Sequence, residues 1–335
     1  MTIAIDAMGG DTYPGNPVQG AVTAANEFRI HVLLVGDETV IQTELNRHRW
    51  DRSRIDIVHA SQVIEMGEPV ASAVRAKKDA SMRVCYDLHK NGVVNGVVSA
   101  GNSGAMLAVG RFVLKMIPGI SRPCISAMLP SMGGKVLLVD AGANIDCTPE
   151  QLRQFAILGH IYMSDLHAIP SPRIGLLNVG SEEGKGDERR KKTFDLLKET
   201  PLNFIGNVEG EDFFSGDVDI VVTDGFAGNI LLKSVQAAAS FTVKLTTQEI
   251  NRSLWARFGS LLLRSSFKKL QKQINYAELG GAPLIGLRGN GIVCHGKSSP
   301  DAIEHGIRLA QKAADERWTE RLSEGILAYQ EILKQ

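Results

Sequence analysis

VVSAGNSGAML, residues 97–107, changes character twice within eleven positions. A β-branched run ends at Ser99, a glycine-rich polar turn follows, and an apolar segment of helical character begins near Ser103. Strand, tight turn and helix make a place to hold something small: a nucleotide, the substrate of a nucleophilic serine, or a bare anion. The same grammar repeats outward from this stretch. Apolar runs predict strands over 2–6, 30–35, 55–58, 93–99, 124–129, 135–140, 173–178, 203–205, 218–223 and 291–294. Longer segments of helical period fall between them, at 16–29, 39–49, 69–90, 103–116, 149–166, 188–199 and from 229 onward. Runs such as VLLVG and KVLLVD are apolar on both faces, as buried parallel strands are. Alternation of this kind predicts an α/β fold with a mainly parallel sheet.

Composition sets the outer limits. The chain has 335 residues, 44% hydrophobic and 22% charged, with 34 glycines and a net charge of zero. That is ample for a sizeable core, and zero net charge gives no overall bias toward nucleic acid. Cys85, Cys124, Cys147 and Cys294 are scattered, without the spacing of a disulfide frame or zinc site. MTIAIDAMGGD enters a strand at once and no apolar run approaches the roughly 20 residues of a membrane span. A soluble cytoplasmic protein is expected, folded as a single domain over 1–335.

Glycine and polar residues gather after the strands: IDAMGGD (5–11), SAGNSG (99–104), DAGANID (140–146), NVGSEEGKG (178–186), GNVEGED (206–212) and TDGFAGN (223–229). Ligands of open α/β sheets sit beyond the carboxyl ends of strands, so these loops predict one site along one edge. No strand end supplies the Gly-x-Gly-x-x-Gly of a dinucleotide fold. NVGSEEGKG has three residues between its glycines where a P-loop needs four, and Gly186 stands in place of the magnesium-binding hydroxyl. Lys185 remains an anion-binding candidate or a solvated loop lysine. GNSGA approximates the nucleophile elbow of a serine hydrolase, with Ala105 where the last glycine belongs and His295 as a distant base. The other reading of the same turn is an anion cradle, with free N–H groups at a helix start and no Cβ at Gly101 or Gly104. Asp6, Asp11, Asp140, Asp146 and Asp224 either hold magnesium, orient donors or accept a proton; no two form a compact ligand motif, so no metal is expected.

One segment breaks the charge balance. From Ile250 to Ala277 there is no acid, while Arg252, Arg257, Arg264, Lys268, Lys269 and Lys272 alternate with Leu254, Trp255, Phe258, Leu261, Leu262 and Phe267. A basic amphipathic helical arm, about 235–280, suits an anionic membrane, an acidic protein partner or a dimer contact.

The motifs together resemble the PlsX family of phosphate acyltransferases, from IDAMGGD to VCHGKSS. They include VSAGNSGAM, Ser121-Arg122-Pro123, DAGANID, SPRIGLLNVGSEEGKG, NFIGNVEG, VVTDGFAGN, YAELGGAPLIGL and CHGKS. Two positions depart from that pattern: Thr12 stands where the family often has His, and Ser103 where it has Thr. Exchange of Thr for Ser103 favours an anion-binding hydroxyl over a nucleophile. The resemblance implies a Rossmann-like α/β/α sandwich akin to phosphotransacetylases, without cofactor and usually homodimeric. It also implies transfer of a long-chain acyl group from acyl carrier protein to inorganic phosphate, for phospholipid synthesis, with the arm touching the inner face of the membrane. On this reading Ser99, Gly101, Asn102, Ser103 and Gly104 cradle phosphate, and Lys185 supplies its counter-charge. Asn144 and Asn229 donate to the oxyanion, Asp6 and Asp224 orient donors or take a proton, and His295 is the acid for the leaving thiol. A short-chain phosphotransacetylase using coenzyme A, or a membrane-bound scaffold that holds acyl carrier protein without catalysis, are the rival readings.

Overall fold

The computed structural model describes residues 1–263, 265 and 280–334. Eleven strands form one sheet: β1 (Thr2–Asp6), β2 (His31–Gly36), β3 (Ile55–His59), β4 (Gly96–Ser99), β5 (Cys124–Ser131), β6 (Gly134–Val139), β7 (Ile174–Leu177), β8 (Phe204–Val208), β9 (Ile220–Val222), β10 (Ala282–Ile285) and β11 (Gly291–Val293). Their order is β3-β2-β1-β4-β11-β10-β5-β6-β9-β7-β8. The first five are mutually parallel, as are β6, β9, β7 and β8. Between them β10 is antiparallel to β11 and β5, and β5 is antiparallel to β6. Three reversals leave the two parallel halves running in opposite senses.

The carboxyl ends therefore do not share one edge, as the loops led one to expect. They meet because the halves are staggered. Ser99 pairs with Val293, and Val293 with Ala282. Leu284 faces Ile125, so Ala282 lies level with Ala127, which faces Leu138. β4 and β11 thus end on the row where β6 is one residue from its end. Both sets of carboxyl ends converge on the centre of the sheet.

Helices cover both faces: α1 (Gly15–Phe28), α2 (Glu38–Leu45), α3 (Val70–Ala76), α4 (Ser81–Lys90), α5 (Ser103–Val113), α6 (Pro149–Ile161), α7 (Glu188–Lys198), α8 (Asp212–Ser215), α9 (Gly225–Arg252), α10 (Leu254–Leu262), α11 (Pro300–Asp315), α12 (Trp318–Leu327) and α13 (Gln330–Lys334). One face carries a core continuous across both halves, joining Val97, Met106 and Val109 to Leu129, Leu138 and Val221. The other face is divided, with Ile3, Leu34 and Val98 under the first half and Val139, Phe155 and Ile220 under the second. Local signals place the helix starts. Thr148 and Gln151 form a capping box around Pro149, and Ser299 caps α11 ahead of Pro300. A single helix over 69–90 does not form, because Asp79 turns back to accept two bonds from Ser61 (2.6 and 2.7 Å). β10 is the strand that periodicity missed, a short run beside glycines and a proline.

Candidate active site

Four strand-to-helix loops build the site. After β1, Asp6 is almost fully buried and accepts the hydroxyls of Ser81 and Ser99, each at 2.6 Å. Burial pushes its carboxyl up, and the two hydroxyls and the Met8 N–H pull it partly back. Ser99 in turn accepts the Gly101 N–H at 3.0 Å. The Ser99 hydroxyl proton thus goes to Asp6 and not to a ligand, and the Gly101 N–H is also occupied.

The turn ends in the first residues of α5. Asn102 is its N-cap: Oδ1 accepts the Ala105 N–H at 3.0 Å, and Nδ2 donates to the Met66 carbonyl at 2.9 Å. Its side chain shapes the cradle and has both arms engaged. The Ser103 and Gly104 N–H groups and the Ser103 hydroxyl have no partner among the described residues. Free N–H groups at a helix start bind anions through their own dipoles and the helix field. Of the five residues expected to cradle phosphate, Ser103 and Gly104 present open donors, and Ser99, Gly101 and Asn102 hold them in place.

In the second half, Asp140 accepts the N–H groups of Ile125, Gly142, Ala143 and Asn144 and the Asn144 amide, at 2.7–3.1 Å. Burial raises its carboxyl and these donors oppose the rise. Asn144 spends its other amide proton on the Pro123 carbonyl at 2.8 Å and is 2% exposed. That position does not present the oxyanion donor expected of it; its amide is consumed in fixing the loop. Asp224 caps α9 through the Ala227 N–H at 2.9 Å. Its other oxygen accepts Arg189 at 3.1 Å and Arg190 at 3.0 Å. Asp224 is 3% exposed and already paired twice, so it holds the two guanidinium groups in place. Neither arginine was singled out in the sequence. Their signal was Glu-Arg-Arg-Lys-Lys in the first turn of a helix, where the field disfavours cations unless a carboxylate meets them.

The two halves enclose a cleft of about 1010 Å³, lined among others by Asp11, Met66, Gly101, Ser103, Gly142, Asn229, Lys233, His295 and Gly296. The Asn229 side chain rests against Gly142, and its amide has no hydrogen-bond partner among the described residues. Nδ1 of His295 accepts the Lys297 N–H at 3.2 Å, which leaves the proton of the neutral ring on Nε2. Lys185 is not part of this lining: it is half exposed, with Glu182 3.7 Å away. Nor does the lining include any residue of 178–186 or 206–212, so four of the six loops and the CHGKS turn form the cleft. Lys233, one turn after Asn229, is the cation of α9 that faces it.

This two-half α/β sheet is a fold shared with phosphotransacetylases. The chain matches one from Streptococcus pyogenes with a TM-score of 0.61 over 93% of this chain and 94% of that one, at 16% identity, a likeness of fold. At the level of sequence, the family model described as "Fatty acid synthesis protein" matches residues 1–321. Phosphate acyltransferases from Geotalea uraniireducens (strain Rf4) and Geobacter sulfurreducens (strain ATCC 51573 / DSM 12127 / PCA) are 46% and 45% identical, covering 100% and 98% of this chain and 98% and 96% of their own. The chain belongs to the PlsX family of phosphate acyltransferases, and is an acyltransferase.

Proposed function

We propose that the cleft transfers a long-chain acyl group from the thioester of acyl carrier protein to inorganic phosphate. A phosphate oxygen attacks the thioester carbonyl, the tetrahedral intermediate expels sulfur, and the products are acyl phosphate and the carrier thiol. The observation that carries this reading is the set of unpaired donors at the start of α5, where Ser103 lines one cleft with Asn229 and His295. Phosphate is already an anion, so the site aims and desolvates it and does not have to create a nucleophile. Ser103 and the Ser103 and Gly104 N–H groups hold it, with Lys233 in place of Lys185 as counter-charge. Asn229 donates to the oxyanion, and Nε2–H of His295 protonates the leaving sulfur. A thiol with a pKa near ~8.5 leaves without strong acid assistance, so His295 contributes less than Asn229. Release of carrier thiol from palmitoyl acyl carrier protein, with and without phosphate, tests the reading. Phosphate-independent release, or none, overturns it, and equal turnover of acetyl-coenzyme A points to the short-chain rival.

The arm supports a second contact. No helix among the described residues is long and apolar enough to cross a membrane. On α10, however, Trp255, Phe258 and Leu262 are 86%, 62% and 75% exposed. The side chains of Leu254 and Leu261, and the whole of Arg264, Phe267, Lys268, Lys269 and Lys272, lie outside the described residues. An exposed Trp and Phe on a helix without acids fit peripheral binding to an anionic bilayer, where acyl phosphate would be handed on for phospholipid synthesis. A homodimer in which α9 and α10 pair is the competing use of this face; sedimentation in the presence and absence of anionic vesicles separates them.

A further inference from the structure

The floor of the cleft contains a notch that neither the phosphate nor the thioester requires. Ala282 and Ala127 lie level on β10 and β5, with Val293 beyond the first and Leu138 beyond the second. Residues level across a sheet point to the same face. The row therefore runs from Ser99 through two larger side chains with a pair of methyl groups between them. Ala127 and Ala282 both line the cleft, beside Ile125 and under Leu232 of α9. They stand where the sheet changes sense, Ala127 almost fully buried and Ala282 half-buried, in the core that side chains of both α5 and α9 join. Ser103 and Asn229 line the same cavity as these two alanines. The cavity of about 1010 Å³ reaches past this face to Ile30, Tyr162 and Trp318 on the other and is larger than phosphate fills.

We propose that the Ala127–Ala282 notch seats the alkyl chain of the acyl donor next to the reacting carbonyl, and that these two side chains set which acyl lengths the enzyme takes. The inference rests on the acyl-transfer reading above and assigns the part of that cleft which receives the chain. Small side chains suit this role. They leave room for methylenes, and each methylene moved out of water adds roughly fourfold to affinity. A branched side chain at either position fills the space from below and leaves Ser103 and Asn229 intact.

Ala282→Leu and the milder Ala282→Val, which suits a strand, test the proposal with acetyl, octanoyl and palmitoyl thioesters of acyl carrier protein. For the leucine variant, kcat/KM for palmitoyl is expected to fall about tenfold or more, with acetyl turnover and the KM for phosphate within twofold of wild type. The valine variant is expected to fall between. Direct binding of the palmitoyl thioester without phosphate, by calorimetry, should weaken by a similar factor. Equal losses for acetyl and palmitoyl, or no loss in the two variants when both are folded by circular dichroism, overturn the notch. If wild type shows no phosphate-dependent cleavage, the acyl-transfer reading fails by itself. Binding then decides the notch: selective loss of palmitoyl binding supports it and unchanged binding overturns it.

Discussion

The amide of Asn229 is braced by Gly142 and has no hydrogen-bond partner among the described residues, which is the condition of a donor kept for a transient charge. Asn229→Ala is expected to lower kcat about 10²–10³-fold, the usual cost of one oxyanion donor, in a thiol-release assay. Ser103→Ala removes a hydrogen bond to a charged group, about 1.5–3 kcal/mol, and should raise the KM for phosphate roughly tenfold to a hundredfold with a smaller effect on kcat. Lys233→Ala should raise the same KM, and Lys185→Ala should leave it near wild type, since Lys185 stands outside the cleft beside Glu182. Asp6 carries a pH signature. Its carboxyl is raised above the usual ~3.9, so the folded state holds its proton longer than the unfolded one. The resulting stability is present below about pH 3.9 and is lost as pH rises through the folded value. Urea titrations from pH 4 to 7 should show wild type losing stability relative to Asp6→Asn as pH rises. At this scale the sequence names residue types but not their partners. Asn144 and Asn229 each follow a strand in a glycine-rich stretch of sequence, and only the partners of Asn144, the Pro123 carbonyl 21 positions away and Asp140, decide which amide is spent.

At the scale of the element, α9 carries the site and the arm together. It spans 28 residues, about 42 Å, from Gly225, next to its cap Asp224, to Arg252. Its start is seated by close backbone contact: a Cβ on Gly228 would collide with the Asp140 carbonyl oxygen, and one on Gly225 would lie 2.8 Å from the Asn144 backbone. Gly228→Ala should therefore push α9 off the loop, costing about 1–3 kcal/mol and moving Asn229 away from Ser103. A lowered Tm with a disproportionate loss of kcat checks this. Farther out, a Cβ on Gly259 of α10 would meet nothing within 4 Å. Trp255→Glu with Phe258→Glu is expected to abolish co-sedimentation with anionic liposomes while turnover of a soluble thioester stays within twofold of wild type. The sequence placed this helix from 229 onward; it starts at Gly225, because Asp224 caps it through the Ala227 N–H. That its first turn wedges against the 140–144 loop was not legible, because this contact joins segments about 85 residues apart.

Across the whole molecule, the cleft exists because two oppositely directed half-sheets end on nearly the same row. A ligand there touches both halves, so phosphate binds the folded chain and not its separated parts. At 100 times its Kd, phosphate should add about 2.7 kcal/mol to stability, seen as a rise in Tm that Ser103→Ala reduces and chloride does not reproduce.

The sequence by itself determined ten of the eleven strands, the starts of α6 and α11 and the loops that carry polar groups. Those features are local: burial on both faces, caps and turns are written in neighbouring residues. Tertiary structure alone decided that the sheet reverses, since this depends on β10 pairing with a strand about 160 positions away. It also decided that the 178–186 loop stays outside the cleft, that Arg189 and Arg190 meet Asp224, and that two alanines from β5 and β10 lie side by side. Such contacts are set by register between distant strands, and no local periodicity encodes that register.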